Sequence, residues 1–112
     1  MPLLEISCNT AIDNEQALAS DASKLTAEIL GKPESYVMVK IHSAQTLIFA
    51  GSEEPAAHIK LKSLGLPENR TTEFSEKLCD FISARLNINS NRIYIEFASP
   101  ERHLWGWDKR TF

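Results

Sequence analysis

The chain has 112 residues, the length of one domain spanning residues 1–112. Apolar residues make up 43% and charged residues 24%, a composition typical of a folded globular protein and unlike that of a disordered chain. The net charge of −3 argues against nucleic acid as a partner, because nucleic-acid binding needs a basic surface. No apolar run is long enough to cross a membrane, so no membrane partner is expected.

The first half of the chain predicts a strand, a helix and a second strand, in that order. Residues 3–7 and 36–41 have strand-like composition, and residues 14–30 have the apolar periodicity of a helix. Apolar side chains recur three or four positions apart along this helix, at Leu18, Ala22, Leu25 and Ile29.

The second half repeats this order. Residues 59–63 and 92–98 predict strands on either side of a helix over about residues 71–86. The apolar stripe of this helix consists of Phe74, Leu78, Phe81, Ile82 and Leu86. A further short apolar run covers residues 47–50 and ends at Gly51.

The ends of both helices carry recognisable signals. Asp13 and Gln16 resemble a capping box at the start of the first helix, and Gly31 ends it. For the second helix, Asn69 or Thr71 is the predicted cap.

An offset of 56 residues superposes the apolar patterns of the two halves, placing Leu18 on Phe74 and residues 3–7 on residues 59–63. We therefore predict an α/β (α+β) fold in which two βαβ units form a four-stranded mixed sheet with both helices on one face. The other face is expected to remain apolar in places. Self-association would cover it, so an oligomer is expected.

Residues that hold metals or cofactors do not form a motif. His42, His58 and His103 are scattered, the four glycines never cluster into a phosphate loop, and no metal or cofactor is predicted. Cys8 and Cys79 form no CxxC motif and are interpreted as two reduced thiols.

Pro2 is the residue with the most chemical promise. Removal of Met1 would make Pro2 a secondary amine at the chain start, and burial in an apolar pocket lowers the pKa of such an amine toward neutrality. A neutral amine at pH 7 is a suitable general base. The alternative is a Met-Pro start with no catalytic role.

Lys32 and the C-terminal aromatic residues each allow two interpretations. Lys32 is either a cation that binds a substrate carboxylate or a lysine that complements the dipole at the end of the first helix. Trp105, Trp107 and Phe112 either line a pocket or pack in the core or an interface.

Six short motifs, in register over essentially the whole chain, together resemble the macrophage migration inhibitory factor family of the tautomerase superfamily, in particular its microbial homologues. These motifs are Met1-Pro2-Leu3, Gly31-Lys32-Pro33, Tyr36-Val37-Met38-Val39, Ser63-Leu64-Gly65, Arg92-Ile93-Tyr94-Ile95 and Gly106-Trp107 with Phe112.

The resemblance implies a homotrimer whose sheets surround a central channel, with active sites between neighbouring subunits. It implies keto–enol tautomerisation of phenylpyruvate-type α-keto acids, with dopachrome as a side substrate, and with Pro2 as the base and no cofactor. Carried over residue by residue, the substrate-binding positions are Lys32, Ser63, Leu64, Tyr94 from the adjacent subunit, Glu96, Trp105, Trp107 and Phe112.

Two of these positions depart from the family pattern. Trp105 replaces an aliphatic wall residue and is expected to reshape the pocket. Glu96 stands where the vertebrate cytokine has Asn, and its carboxylate is expected to repel an anionic substrate or to raise the pKa of Pro2. Strand alternation puts Glu96 on the same face as Tyr94, and the alternative is that it points away and pairs with a surface Lys or Arg.

The resemblance leaves a second function open, that of a trimeric cytokine-like protein that binds a receptor and keeps a vestigial tautomerase site. The N-terminal residues do not form a secretory signal, so a cytoplasmic location is expected. Export without a signal peptide stays open.

Overall fold

Four strands form one mixed sheet in the computed structural model, which describes residues 1–112. They are β1 (Leu3–Cys8), β2 (Met38–His42), β3 (Ala57–Lys62) and β4 (Ile93–Ala98), and they lie in the order β2-β1-β3-β4. The outer pairs β1–β2 and β3–β4 are parallel and the central pair β1–β3 is antiparallel. The predicted arrangement of two βαβ units in a mixed sheet is therefore confirmed.

Two helices of equal length cover one face of this sheet, as predicted. Helix α1 spans Glu15–Leu30 and helix α2 spans Thr71–Leu86. Both helices pack against the inward side chains of the strands and form one core with them. The strands contribute Leu4, Ile6, Ile59 and Leu61, and the helices contribute Ala22, Ile29, Phe74, Leu78 and Ile82. None of the helices combines the length and the apolar composition that crossing a bilayer requires.

The start of α1 differs from its prediction by one residue. The side-chain oxygen of Asn14, not that of Asp13, accepts a hydrogen bond from the backbone N–H of Ala17 at 3.0 Å. Asn14 directly precedes the first helical residue, the position from which a short side chain reaches the free N–H groups. Gly31 ends α1 in the left-handed conformation (φ 63°), as the sequence predicted.

Helix α2 begins without the predicted side-chain cap. Its preceding residue is Arg70, which makes no capping hydrogen bond. The hydroxyl of Thr71 donates instead to the carbonyl of Glu68, 3.3 Å away, because a 3₁₀ turn over Glu68–Arg70 leads directly into the helix.

The internal repeat holds for the helices and is one residue out for the first strands. The helices are related by the predicted 56 residues, yet the same offset would place the buried Leu4 on the exposed Lys60. An offset of 55 residues places Leu4 on Ile59, which is also fully buried. Offsets of 55 and 56 residues can be told apart because side chains alternate along a strand. A shift of one residue exchanges the buried face of the strand with its exposed face.

The predicted starts of two strands need correction. Strand β2 begins at Met38, because Tyr36 belongs to a 3₁₀ turn (Glu34–Tyr36), and β3 begins two residues earlier than predicted. Residues 47–50 form no strand beyond one bridge between Phe49 and Ser52. A short hairpin of β5 (Gly106–Trp107) and β6 (Arg110–Thr111) was not predicted.

The face of the sheet opposite the helices is mostly polar, and the apolar parts predicted for it are confined to the outer strands. One row across the four strands reads Lys40, Glu5, Lys60 and Glu96, with alternating charge. The neighbouring His42 and His58 lie beside the carboxylates of Glu5 and Glu96, respectively. The large apolar side chains exposed on this face, Met38 and Tyr94, are on the outer strands, so apolar area alone does not explain an oligomer.

Two side chains hold the long connection between β2 and β3. The Arg92 guanidinium donates to four carbonyl oxygens at 2.9–3.3 Å, those of Phe49, Ser52, Glu54 and Pro55. The side-chain amide of Asn9 donates to the carbonyls of Leu47, Glu53 and Glu54, the last of which also accepts from Arg92. The side-chain oxygen of Asn9 accepts from the N–H of Ala56. These bonds place the Phe49 ring 4.9 Å from that of Tyr94.

Replacement of Arg92 should therefore destabilise the fold. We expect Arg92→Ala to lower the free energy of unfolding by about 2 kcal/mol, because the carbonyls in the partly buried part of the connection lose charged donors. Guanidinium denaturation measures this change. Lys77→Ala is the control, since Lys77 makes only an exposed pair with Glu73, which contributes about 0.5 kcal/mol or less. Equal losses in the two variants would contradict the role of Arg92.

Candidate functional site

A pocket of about 430 Å³ lies at the edge of the sheet where β1 starts and where the segments after α1 and β3 begin. Its lining includes Met1, Lys32, Tyr36, Leu64, Trp107 and Phe112. A second cavity of about 270 Å³ adjoins it and shares Met1, Tyr36 and Trp107, and it adds Pro2 and Trp105 to the lining. The two cavities bring together residues from both ends of the chain.

Pro2 is buried and fixed by the sheet. It directly precedes β1, and its carbonyl accepts a hydrogen bond from the backbone N–H of Met38 at 3.0 Å. This bond continues the parallel pairing of β1 with β2 by one residue. The start of the chain thus has a defined position, although chain ends are commonly mobile.

The amine at the chain start is electrostatically unusual. Burial lowers the pKa of the Met1 amine below its ordinary value, and the positive charges of Lys32 and Arg102 lower it further. Each of these causes disfavours the protonated form. An amine at this point is therefore more often neutral, and more available to accept a proton, than an exposed one.

Lys32 reaches the pocket because Gly31 turns the chain at the end of α1. The ammonium of Lys32 donates to the carbonyl oxygen of Leu64 at 3.1 Å and to none of the carbonyls of α1. Since an ammonium has three donors, two remain for a ligand. The side chain thus points into the pocket and does not cap the helix.

Ser63 binds the same carbonyl oxygen as Lys32. It is fully buried, and its hydroxyl donates to the same Leu64 carbonyl, at 3.2 Å. Ser63 does not itself line the pocket, whereas Leu64 does.

The C-terminal residues form an aromatic wall. The Trp107 ring meets the Tyr36 ring edge-on, with centroids 6.3 Å apart, and stacks on Phe112 at 6.2 Å with an interplanar angle of 5°. The Phe112 N–H donates to the Trp105 carbonyl at 3.1 Å, which fastens the segment. Trp105 lies in the smaller cavity, with the Lys62 ammonium 5.4 Å from its ring centroid.

Tyr94 and Glu96 lie outside the pocket of their own chain. Both project from β4 on the face opposite the helices, where Tyr94 packs against Phe49 and Glu96 pairs with His58. The alternative considered from the sequence had Glu96 pairing with Lys or Arg, but its partner is a histidine. A pocket role for these two residues requires a second copy of the chain.

The pocket lining includes residues that the sequence did not predict as site residues, among them Tyr36, Arg102 and Arg110. Tyr36 lies in one of the motifs that carried the resemblance. The only local signal for the arginines was their position among the aromatic residues of the tail. The Arg110 guanidinium lies 5.1 Å from the Trp107 ring centroid.

Metal-binding chemistry finds no support in this arrangement. No group of three or more His, Cys, Asp or Glu side chains is placed to hold a metal ion. The two cysteines, Cys8 and Cys79, are both free.

Comparison with known proteins agrees with the geometry over the whole chain. The family profile described as "Macrophage migration inhibitory factor (MIF)" matches residues 1–112. A macrophage migration inhibitory factor homolog from Trichinella spiralis is 39% identical over 114 residues and is covered, like this chain, to 100%. The macrophage migration inhibitory factor of Xenopus tropicalis is 34% identical over 116 residues, covering 100% of this chain and 99% of the relative.

A solved structure of a homologue has the same fold. The crystal structure of a macrophage migration inhibitory factor homologue from Prochlorococcus marinus superposes with a TM-score of 0.93 at 38% sequence identity. The superposition covers 98% of each chain.

The electrostatic effect of Lys32 on the chain start can be measured directly. We expect Lys32→Gln to raise the pKa of the N-terminal amine, because the nearby positive charge that disfavours protonation is removed. The pH dependence of amine acylation, followed by mass spectrometry of the N-terminal peptide, measures this pKa. Lys24→Gln removes a charge from the body of α1 and serves as the control. The same pKa in both variants would refute the effect.

Proposed function

The chain belongs to the macrophage migration inhibitory factor family of the tautomerase superfamily, and we propose that it is a tautomerase acting on phenylpyruvate-type α-keto acids. In this proposal Pro2 is the general base after removal of Met1. The observation that carries it is the buried chain start beside Lys32, where burial and positive charge lower the pKa of the Met1 amine. After removal of Met1 the Pro2 amine would lie in the same surroundings. The amine itself moves the proton, so the reaction needs no cofactor.

Removal of Met1 would complete the site. Met1 lines both cavities, and Pro2 lies in the lining of the smaller one. Without Met1 the two cavities would join around the nitrogen of Pro2, which would become a secondary amine. This amine would take a proton from the benzylic carbon of the keto form and return it to the enol oxygen, or the reverse.

Lys32 serves the reaction in two ways. Its free donors bind the carboxylate of the substrate, and its positive charge stabilises the negative charge that develops on the enolate oxygen. The same charge lowers the pKa of the Met1 amine, and it would act in the same direction on the amine of Pro2. Trp107 and Phe112 offer flat apolar surfaces to the phenyl ring of the substrate.

The proposal includes a homotrimer. A neighbouring copy would supply Tyr94, and with it Glu96, to the pocket that a single chain leaves open. The sheet face opposite the helices carries side chains of alternating charge. Neighbouring copies would therefore contact this face through polar groups and not through a continuous apolar surface.

A second candidate is a trimeric cytokine-like protein that binds a receptor and has a vestigial tautomerase site. The names of the relatives from vertebrates and nematodes, which describe a factor that acts on cells, favour it. Under the tautomerase proposal the chain works in the cytoplasm, whereas the second candidate acts outside the cell. Loss of the reaction without loss of receptor binding in a Pro2 variant would separate the two functions.

Replacement of Pro2 tests the base. We expect Pro2→Gly to lower kcat/KM for phenylpyruvate by about a hundredfold or more, because the ring and the secondary amine are lost. Light scattering should show a trimer for both proteins, so that the loss is not one of assembly.

Pro55→Gly is the matched control, because it makes the same change in the connection at the other end of the sheet. Intact-mass measurement should show that Met1 is absent from the active wild type. Full activity in Pro2→Gly, or in protein that retains Met1, would overturn the proposal.

Replacement of Glu96 tests whether its carboxylate acts on the site of a neighbouring copy. An ionised carboxylate near Pro2 stabilises the protonated amine, so Glu96→Asn should lower the pKa of the acidic limb of kcat/KM by about one unit. It should also lower KM for phenylpyruvate, because repulsion of the substrate carboxylate is removed. Glu5→Gln, a change to another carboxylate of the same sheet face, is the control. An unchanged pH profile and KM would remove Glu96 from the mechanism.

A further inference from the structure

The pocket concentrates positive charge. Three of its lining residues, Lys32, Arg102 and Arg110, are cationic and none is acidic. The chain as a whole has a net charge of −3, so this concentration is opposite to the average of the molecule. One monoanionic substrate would balance only part of it.

The two arginines are held on the aromatic wall. Arg102 donates through Nε to the backbone oxygen of Phe112 at 3.2 Å, and the Arg110 guanidinium lies over the Trp107 ring. Neither arginine contacts an Asp or Glu side chain, and the Nη groups of both make no hydrogen bond within the chain. The charge of Arg102 reaches the chain start, where it helps to lower the pKa of the amine.

The three cations are not equivalent. Lys32 is held at the Leu64 carbonyl, whereas Arg110 lies over the Trp107 ring and Arg102 donates to the backbone oxygen of Phe112. The rings of Trp107 and Phe112 are the ones that would receive the aromatic part of a substrate. A group attached to the far side of that aromatic part would therefore meet guanidinium donors. Guanidinium binds carboxylates through paired, charge-assisted hydrogen bonds.

We propose that the preferred substrate of this site is an arylpyruvate with a second anionic group on its ring, and that Arg102 and Arg110 bind that group. This inference rests on the proposed tautomerase function, in which Lys32 binds the α-keto acid. It adds the substrate class: a dianion in which the two negative groups lie at opposite ends of the aromatic ring.

The kinetic test compares two probes, phenylpyruvate and (4-carboxyphenyl)pyruvate. We expect the wild type to favour the carboxylated probe by about tenfold in kcat/KM, since one charged hydrogen-bonded contact has about that effect. In the double variant Arg102→Gln/Arg110→Gln the ratio of the two kcat/KM values should fall to about one. The ratio removes any effect common to both substrates.

Lys109→Gln is the matched control. It removes one positive charge from the same hairpin, but Lys109 does not line the pocket of about 430 Å³. General attraction between protein and dianion would change the ratio in this variant as well. We expect the wild-type ratio instead.

A binding measurement separates this inference from the proposed reaction. Both tryptophans of the chain, Trp105 and Trp107, lie at the site, so quenching of their fluorescence reports ligand binding without turnover. The unreactive pair is cinnamate and 4-carboxycinnamate, and we expect the dicarboxylate to bind about tenfold more tightly to the wild type only.

Preference for the dicarboxylate without turnover of either pyruvate would support the anion site and reject the tautomerase. Equal binding of the two cinnamates, or a preference that the double arginine variant retains, would overturn the inference whatever the activity. Turnover of phenylpyruvate that depends on Pro2 would then leave the proposed function standing.

Discussion

The pairing of β1 on both of its edges holds the start of the chain in place, and the pocket depends on it. Strand β1 lies between β2 and β3 and buries Leu4, Ile6 and Cys8 completely. Pro2 precedes this strand and continues its pairing with β2. A group at the end of a chain is ordinarily free to move, but here its position is set by the central strand of the core. A rigid scaffold of this kind is what a positioned base requires.

The rest of the pocket is built where other elements end. Lys32 follows the left-handed turn at Gly31, and Leu64 follows β3. Two donors, the Lys32 ammonium and the Ser63 hydroxyl, converge on the Leu64 carbonyl and tie these two segments together. The aromatic tail then closes the space by stacking, and it buries little of itself. The pocket therefore inherits its shape from the register of the core.

The sequence predicted both helices almost to the residue, because long periodic stripes such as that of α2 are unambiguous. Strand bounds and caps are harder to predict, because strand alternation extends over few residues and because Asp13 and Asn14 both have side chains suited to a cap. The residues placed in the pocket came mainly from resemblance to a family. Arg102, Arg110 and the partnership of His58 with Glu96 were not predictable, since they depend on side-chain contacts between segments distant in sequence.

Charge is distributed differently on the sheet face and in the pocket. On the sheet face opposite the helices, charged residues alternate and pair, as in the contacts of Glu5 with Lys40 and His42. In the pocket, cations stand together without acidic partners, an arrangement that opposes folding through mutual repulsion. A bound anion removes that repulsion and adds charge-assisted hydrogen bonds at the same time. These cations, which have no acidic side chain beside them in the empty pocket, are thus best understood as half of an interaction that the ligand completes.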